Sequence, residues 1–420
     1  MVERRKPILV SEAIEKCIKE VQLTHATKVP LDESLNYFLS EDIMAPSAVP
    51  HFDRSPFDGF AIRSTDTENA SGDNRIEFRV VDHIGAGQVS DVKLGENEAV
   101  RIMTGAALPE LADCVVMLEQ TVEYEGSFTI RKPFEKGENV SFKGEDIQKG
   151  EQILSQGTKI TPGVIAVLAT FGFAEVPVRR KPLVGILSTG TELLEVSEPL
   201  EHGKIRNSNG PMVAGQLKRL NIPYRFYQIS KDDLDTTIES VKQALNEVDC
   251  LITTGGVSVG DFDYLPKVYE ALGATVLFNK VGMRPGSVTT VAKYNEQYLF
   301  GLSGNPSACY TGIELFARPV LLKMLGSNHP FLPGGDGVLQ ESFEKPNPFT
   351  RFIRAFYEEK DGEVYVTPAG FNKSNAISSI ARSNALIVLP RGTRGYQQGD
   401  AVKVLYTDRD EGALTWAIPE

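Results

Sequence analysis

Cysteine, histidine and long apolar runs are all scarce in this chain, and each scarcity excludes something. Its four cysteines, Cys17, Cys114, Cys250 and Cys309, lie far apart in 420 residues. Three fall in apolar or helical patterns, so buried thiols in a reducing cytoplasm are expected rather than a disulfide framework. The five histidines form no H-x-x-x-H or H-x-H pair, which argues against a zinc-type site. No apolar run approaches about 18 residues, so no membrane span is expected. The N-terminal MVERRKPILV lacks the apolar core of a signal peptide. Positive charge is also in deficit, with a net charge of −12. That argues against non-specific nucleic-acid binding, and any anionic substrate must be held by a local exception to the global charge. There is no fixed-period repeat and no low-complexity segment.

What is present is ordinary for a globular protein, with 41% hydrophobic and 24% charged residues. The length suits about three or four domains. The chain is organised around Asp249 to Asp263, DCLITTGGVSVGDFD. It opens with an unalternated apolar run, Cys250 to Ile252, the pattern of a strand buried on both faces. Gly255, Gly256 and Gly260 break the run, and a helical pattern then leads to Gly273. A strand, a glycine turn and a helix aim backbone N–H groups at an anion. Asp261 and Asp263 at the helix entrance would repel a phosphate unless a metal bridged them, and either could simply cap the helix. The stretch is neither a Walker A loop nor a G-x-G-x-x-G fingerprint.

Upstream, Ile14, Cys17, Ile18 and Val21 predict an amphipathic helix over residues 11–23, and a second short helix falls between Pro30 and Met44. Pro46, Pro50 and Pro56 forbid a helix in the next stretch, where Asp53, Ser55, Asp58 and Gly59 crowd among Phe52, Phe57 and Phe60. A pinned turn is the simpler reading of that loop, and the lip of a site is the other. Residues 75–143 alternate as an antiparallel β lobe. Residues 144–180 hold an apolar helix, Val164 to Phe171, and return the chain to the N-terminal elements. Strands then alternate with helices from 181 to 327, which implies a mostly parallel sheet covered on both faces. Residues 328–420 begin with a Pro/Gly-rich linker and continue as a small β domain. The domains expected are 1–46 with 145–180 as linker, 47–144 as β-rich lobe, 181–327 as α/β domain and 328–420 as C-terminal β domain. The fold class is therefore multidomain α/β plus β.

Ligands of open α/β sheets bind beyond the carboxyl ends of the strands. Those ends carry Ser188-Thr189-Gly190-Thr191-Glu192, Asp232-Asp233, Thr253 to Asp263 with Ser258, Lys280 to Gly286, and Ser303 to Ser307. Singly, Glu192 could offset a helix dipole, Asp232 could be an N-cap, Lys280 and Arg284 could be solvated, and Asn305-Pro306 could be a helix start. Jointly, they supply amide donors and two cations for an oxyanion, and Glu192, Asp232, Asp261 or Asp263 for a divalent cation. Mg²⁺ held by carboxylates and substrate oxygens would polarise a phosphoanhydride. No Cys–His or Ser–His pairing offers a covalent nucleophile, so electrostatic catalysis is expected.

These residues closely resemble the MoeA family of molybdopterin molybdenumtransferases, which includes the C-terminal enzyme domain of gephyrin and the plant Cnx homologue. The resemblance rests on FDRSPFDGFAIR (52–63), RIMTGAALP (101–109), STGTEL (188–193) and TTGGVSVGDFDY, with FGLSGNPSA (300–308) in support. It implies a molybdopterin-binding type α/β domain and a reaction in which adenylylated molybdopterin and molybdate give molybdenum cofactor and AMP, with Mg²⁺. It implies an elongated homodimer, with contact to the pterin adenylyltransferase. Carried over by motif, functional positions fall on Asp58, Thr104, Glu192, Asp232, Asp263, Lys280, Arg284, Arg354 and Ser374. The metal set is Glu192, Asp232 and Asp263. Substrate binding falls on Ser188, Thr189, Gly190, Gly255, Gly256, Ser258, Gly260, Lys280, Arg284, Pro285, Gly286, Ser303, Gly304, Asn305, Pro306, Arg354 and Ser374. The family often has a second lysine where this chain has Ser287. The competing readings are a pterin adenylyltransferase, whose fold resembles 181–327 alone, a non-catalytic pterin-binding scaffold, and a paralogue tuned for tungstate.

Overall fold

The computed structural model describes residues 6–228, 234–256, 265–344, 346–409, 412–416 and 418. The chain forms two compact units, Asp42–Ser155 with Thr170–Gly172, and Met1–Glu41 with Gln156–Ala169 and Phe173–Glu420.

The first unit is built on a six-stranded sheet, in the order Cys114–Met117, Gly59–Ile62, Glu98–Ile102, Ile76–Ile84, Ser127–Ile130, Val122–Tyr124. Successive side chains alternate between two buried clusters. Phe60, Phe78, Val116 and Phe128 fill one, and Ala61, Val100, Ile102 and Val115 the other. Phe60 and Phe128 stack with ring centroids 3.9 Å apart. The expectation of an antiparallel lobe needs one correction, because Ile76–Ile84 and Glu98–Ile102 pair in parallel. The alternation is the same for both directions. Only the connection distinguishes them, and here residues 85–97 cross over instead of turning back as a hairpin.

In the second unit the first helix is Val10–Ile18, shorter than 11–23, with Val21 packing against the core from beyond its end. The helix expected between Pro30 and Met44 is a single 3₁₀ turn, Leu31–Glu33. Strands Ala26–Pro30 and Glu175–Arg179 pair antiparallel, which returns the chain to its N-terminal elements through the apolar helix Pro162–Thr170.

The main sheet runs Tyr224–Gln228, Val184–Ser188, Cys250–Thr254, Gln297–Leu302, Thr290–Tyr294, Thr275–Phe278. Its first three pairings are parallel and its last two antiparallel. Cys250–Thr254 is buried at every residue. Cys250 and Ile252 face one core, with Val213 and Leu217 of helix Asn209–Arg219. Leu251 faces the other, with Val241 of Leu234–Leu245 and Val268 of Leu265–Leu272. Helices on both faces leave this strand no solvent side, which explains its lack of polar alternation. Its entry is fixed by Asp249, whose carboxylate takes two hydrogen bonds from Arg180, at 2.9 and 2.6 Å, and one from Leu183 N–H at 2.7 Å.

The long helix expected from Ser303 to Leu325 is interrupted. Pro306–Gly312 is α-helical, Ile313–Ala317 is a π turn, and Arg318–Met324 is α-helical again. The C-terminal strands Gly334–Leu339, Thr350–Lys360, Glu363–Pro368, Ala385–Leu389 and Ala401–Tyr406 close on themselves, because Thr350–Lys360 pairs with both Glu363–Pro368 and Ala385–Leu389. Closure removes the exposed edges of the sheet. Met283–Arg284, from the loop after the last strand of the main sheet, adds to this barrel in parallel with Thr350 and Arg351.

Candidate functional site

The carboxyl ends of the parallel strands, Ser188, Thr254 and Leu302, open onto one region. At its centre Gly255 and Gly256 both take left-handed φ, +95° and +68°. A Cβ on Gly255 would lie 2.7 Å from the Thr189 carbonyl oxygen, so the turn accepts no side chain. Gly255 N–H is already donated to Leu302 C=O at 2.9 Å and is unavailable as one of the expected anion donors. Gly256 N–H has no acceptor among the described residues. Asn207 Oδ1 caps helix Asn209–Arg219 through Gly210 N–H, and Asn209 Nδ2 donates to Gly304 C=O at 2.8 Å. The helix thereby holds the Ser303-Gly304-Asn305 turn in place.

A cavity of about 960 Å³ lies against this turn. The sheet side contributes Glu192, Gly255, Gly256, Ser303, Gly304 and Asn305. The loop after strand Thr275–Phe278 contributes Arg284, Pro285, Gly286 and Ser287, and the barrel side contributes Arg351, Asn372 and Ser374. A smaller cavity of about 420 Å³ shares Glu192, Gly255, Gly256 and Gly304, and adds Thr189, Gly190 and Pro306. Ser188 opens instead onto a third, of about 460 Å³.

Arg351 is the functional candidate that sequence reasoning missed. It stands beside Arg284 in the parallel register, and both guanidiniums lie over aromatic rings, Arg284 over Phe349 at 5.5 Å and Arg351 over Phe343 at 5.6 Å. Arg351 also donates to Asn347 Oδ1 at 3.4 Å. Burial, and then the charge of Arg284, push its pKa below the ordinary arginine range. Neither arginine meets a carboxylate within ion-pair distance among the described residues. Two adjacent cations without an acid form a prepared site for an oxyanion.

Arg354 and Ser374 part company. Ser374 lines the large cavity, but Arg354 is 1% exposed and lines none of the cavities described here. Burial pushes its pKa down to about 10. Its Nε donates to Ser379 Oγ at 2.8 Å and its Nη2 to Lys373 C=O at 3.2 Å. Ser307 binds the same loop, through Ala376 C=O at 2.6 Å and Ser374 C=O at 3.2 Å. Arg354 thus holds the loop that presents Ser374. Lys280 is half-buried with its carbonyl accepting from Ile8 N–H at 3.1 Å, and it lies outside the cavity wall. Asp232, Ser258, Gly260, Asp261 and Asp263 lie outside the described residues.

Asp58 and Thr104 belong to the other unit. Strands Gly59–Ile62 and Glu98–Ile102 pair Gly59 with Ile102, which brings the two motif residues together. Thr104 N–H and Oγ both donate to Asp58 Oδ1, at 2.7 and 2.8 Å. These bonds hold the exposed carboxyl below its usual range. The turn just before Asp58 is pinned by Ser55, buried, whose Oγ donates to Phe57 C=O at 2.5 Å. Phe60 is core, whereas Phe52 and Phe57 are exposed.

Glu192 is the member of the expected metal set that the structure describes. An added Cβ on Gly190 would lie 2.5 Å from Glu192 Oε2, so that glycine makes room for the carboxylate at the cavity wall. Among the described residues no group of three His, Cys, Asp or Glu side chains gathers as a metal site, and Glu192 is the one expected carboxylate ligand they contain.

Three family profiles match the chain: the MoeA N-terminal region (domains I and II) at residues 8–172, a probable molybdopterin binding domain at 185–323, and the MoeA C-terminal region (domain IV) at 336–406. The chain is 54% identical over 410 residues, 98% of each chain, to a protein of Staphylococcus aureus (strain COL) named molybdopterin molybdenumtransferase. It is 53% identical to a protein of that name from Staphylococcus epidermidis (strain ATCC 12228 / FDA PCI 1200), over 97% of each chain. The molybdopterin biosynthesis MoeA protein of Pyrococcus horikoshii OT3 superposes with a TM-score of 0.82 at 31% identity, covering 96% of this chain and 100% of that one.

Proposed function

Since this chain belongs to the MoeA family of molybdopterin molybdenumtransferases and inserts molybdenum into molybdopterin, we propose that insertion takes place in the 960 Å³ cavity. The observation that carries this is the Arg284–Arg351 pair, which lines one cavity together with Glu192 and Gly256. The two arginines neutralise the oxygens of molybdate or of the bridging phosphate, and Ser374 adds a hydroxyl at the same wall. The Gly255–Gly256 turn lets the phosphate side of the substrate approach the backbone closely. Glu192 carries the opposite charge and orients a cation against the substrate. Mg²⁺, when bound, neutralises charge on the leaving nucleotide. Asp232 and Asp263 complete the metal set in this proposal.

The substrate we propose is adenylylated molybdopterin, with molybdate as second substrate and AMP as product. Catalysis is by positioning and electrostatics, because Cys17, Cys114, Cys250 and Cys309 are all buried. Burial pushes the thiols of Cys114 and Cys309 up to about 12. Thiols of that kind are not nucleophiles. We also propose the homodimer, contact with the pterin adenylyltransferase and a cytoplasmic setting, the last supported by four free thiols. No helix among the described residues is long and apolar enough to cross a membrane. The division into 1–46 with 145–180, 47–144, 181–327 and 328–420 remains part of the proposal, supported by the separate sheets of the last three. Glu192→Gln tests the assignment. Its melting curve should match the parent while molybdate-dependent turnover disappears, and near-normal turnover would remove Glu192 from the reaction.

A further inference from the structure

A fourth cavity, of about 360 Å³, shares no lining residue with the three described above. Its apolar wall is Phe38, Leu220 and Leu322. Its polar wall is strongly basic, with Lys159, Arg219, Arg318 and Arg409 joined by His329. No carboxylate lines it among the described residues; Asp410 and Glu411 lie outside them. Four cations around so small a volume are unusual in a chain of net charge −12.

Carboxylates nearby pair with Arg219, Arg318 and Arg409 but not with Lys159, and Arg219 Nη1 also donates to Thr407 C=O at 2.6 Å. Glu314 is 2% exposed and sits behind the wall, in the π turn. Its Oε1 accepts from Arg219 Nη2 at 2.5 Å and Gln216 Nε2 at 2.8 Å. Its Oε2 lies 3.6 Å from Arg318 Nη1 and accepts no hydrogen bond among the described residues. Arg409 pairs with Glu359 at 2.6 Å. Lys159 has no carboxylate within ion-pair distance among the described residues. A π turn inside a helix is a local strain that persists where the surroundings fix it, and it recurs at functional sites.

The walls are also built rather than incidental. Gly157 takes φ +80°, and a Cβ there would lie 2.5 Å from the Gly326 carbonyl oxygen. That close approach lets the 156–158 loop meet 326–328, where Asn328 Nδ2 donates to Gln156 C=O at 3.1 Å. A formed cavity, half apolar with a few convergent polar groups, has the character of a small-molecule site.

We propose that this cavity is a second binding site, for a small organic anion with an apolar body and a terminal carboxylate or phosphate. The apolar body lies against Phe38 and Leu322, and the anionic end meets Lys159, the lining cation without an ion pair among the described residues. Calorimetric titration of the full chain with phenyl phosphate tests it, with inorganic phosphate and benzamidine as comparison probes. Phenyl phosphate should bind saturably and more tightly than inorganic phosphate, and benzamidine should not bind. Loss of one charge-assisted contact corresponds to about a tenfold or greater weakening. Lys159→Glu, at a half-buried position, should weaken phenyl phosphate binding by at least that much. Arg351→Glu, in the substrate cavity, should leave it within about twofold. No saturable binding, binding of benzamidine, or binding lost in Arg351→Glu but kept in Lys159→Glu would each overturn the proposal. A soaked crystal with phenyl phosphate against Phe38 would support it independently of the variants.

Discussion

Replacing Arg351 with alanine separates function from stability in opposite directions. The guanidinium lines the large cavity beside Arg284 and meets no carboxylate among the described residues. Burial first, and the neighbouring Arg284 charge second, disfavour its protonated form. Removing it relieves repulsion and costs the contact with the Phe343 ring, an interaction of about 0.5–1 kcal/mol at exposed sites. The net change in folding stability should therefore stay within about 1 kcal/mol. A charge-assisted hydrogen bond to a substrate oxyanion contributes about 1.5–3 kcal/mol, and each 1.4 kcal/mol is a factor of ten. Arg351→Ala should then raise the KM for molybdate by roughly ten- to a hundredfold, with a smaller effect on kcat if the contact is uniform between ground and transition states. Arg351→Lys should fall between, because it keeps the charge and loses the planar fork. The assay is AMP release against molybdate concentration, read beside a thermal melt. An unchanged KM, or a melt that collapses, would refute the view of Arg351 as a substrate contact held at some cost to the fold.

Arg180→Ala should destabilise the chain by about 1–2 kcal/mol, a range discounted because Arg180 is partly exposed. Asp249 is pulled up by burial but held below the usual range by Arg180 and Leu183 N–H. Its contribution is therefore present above about pH 4 and fades as acid protonates the carboxylate. Denaturant melts of parent and variant should converge as the pH falls from there through the lowered folded-state pKa of Asp249, and a gap undiminished at the acid end would contradict the linkage. Gly59→Ala places a Cβ 2.1 Å from the Val116 carbonyl oxygen, so it should cost more than about 2 kcal/mol or prevent soluble expression. A stable Gly59→Ala protein would mean that the Gly59–Ile62 strand can shift without loss.

The central strand was readable because a sheet covered on both faces leaves a run without polar residues, as at Cys250–Thr254. The ligand side of the sheet followed from the same order of strands, and Glu192, Arg284 and Gly304 line one cavity. Arg351 was not readable. In TRFIRAFY it looks like the solvent-facing position of an alternating strand, and what makes it a site residue is its non-local register with Arg284. The nearby Arg354 is buried, with its Nη2 donating to Lys373 C=O in the Ser374 loop, a contact that the sequence pattern does not show. The parallel pairing of Ile76–Ile84 with Glu98–Ile102 left no mark on the alternation, and neither did the π turn at Ile313–Ala317, where all residues are buried. In each case the deciding interaction joins residues far apart in the chain, which periodicity within a window cannot register.

The most direct measurement is AMP release by the purified chain given adenylylated molybdopterin and Mg²⁺, with and without molybdate. Release that depends on molybdate in the parent and falls together in Glu192→Gln and Arg284→Ala is the predicted result. Substrate binding without AMP at any molybdate or tungstate concentration would contradict it and leave a pterin-binding protein without turnover.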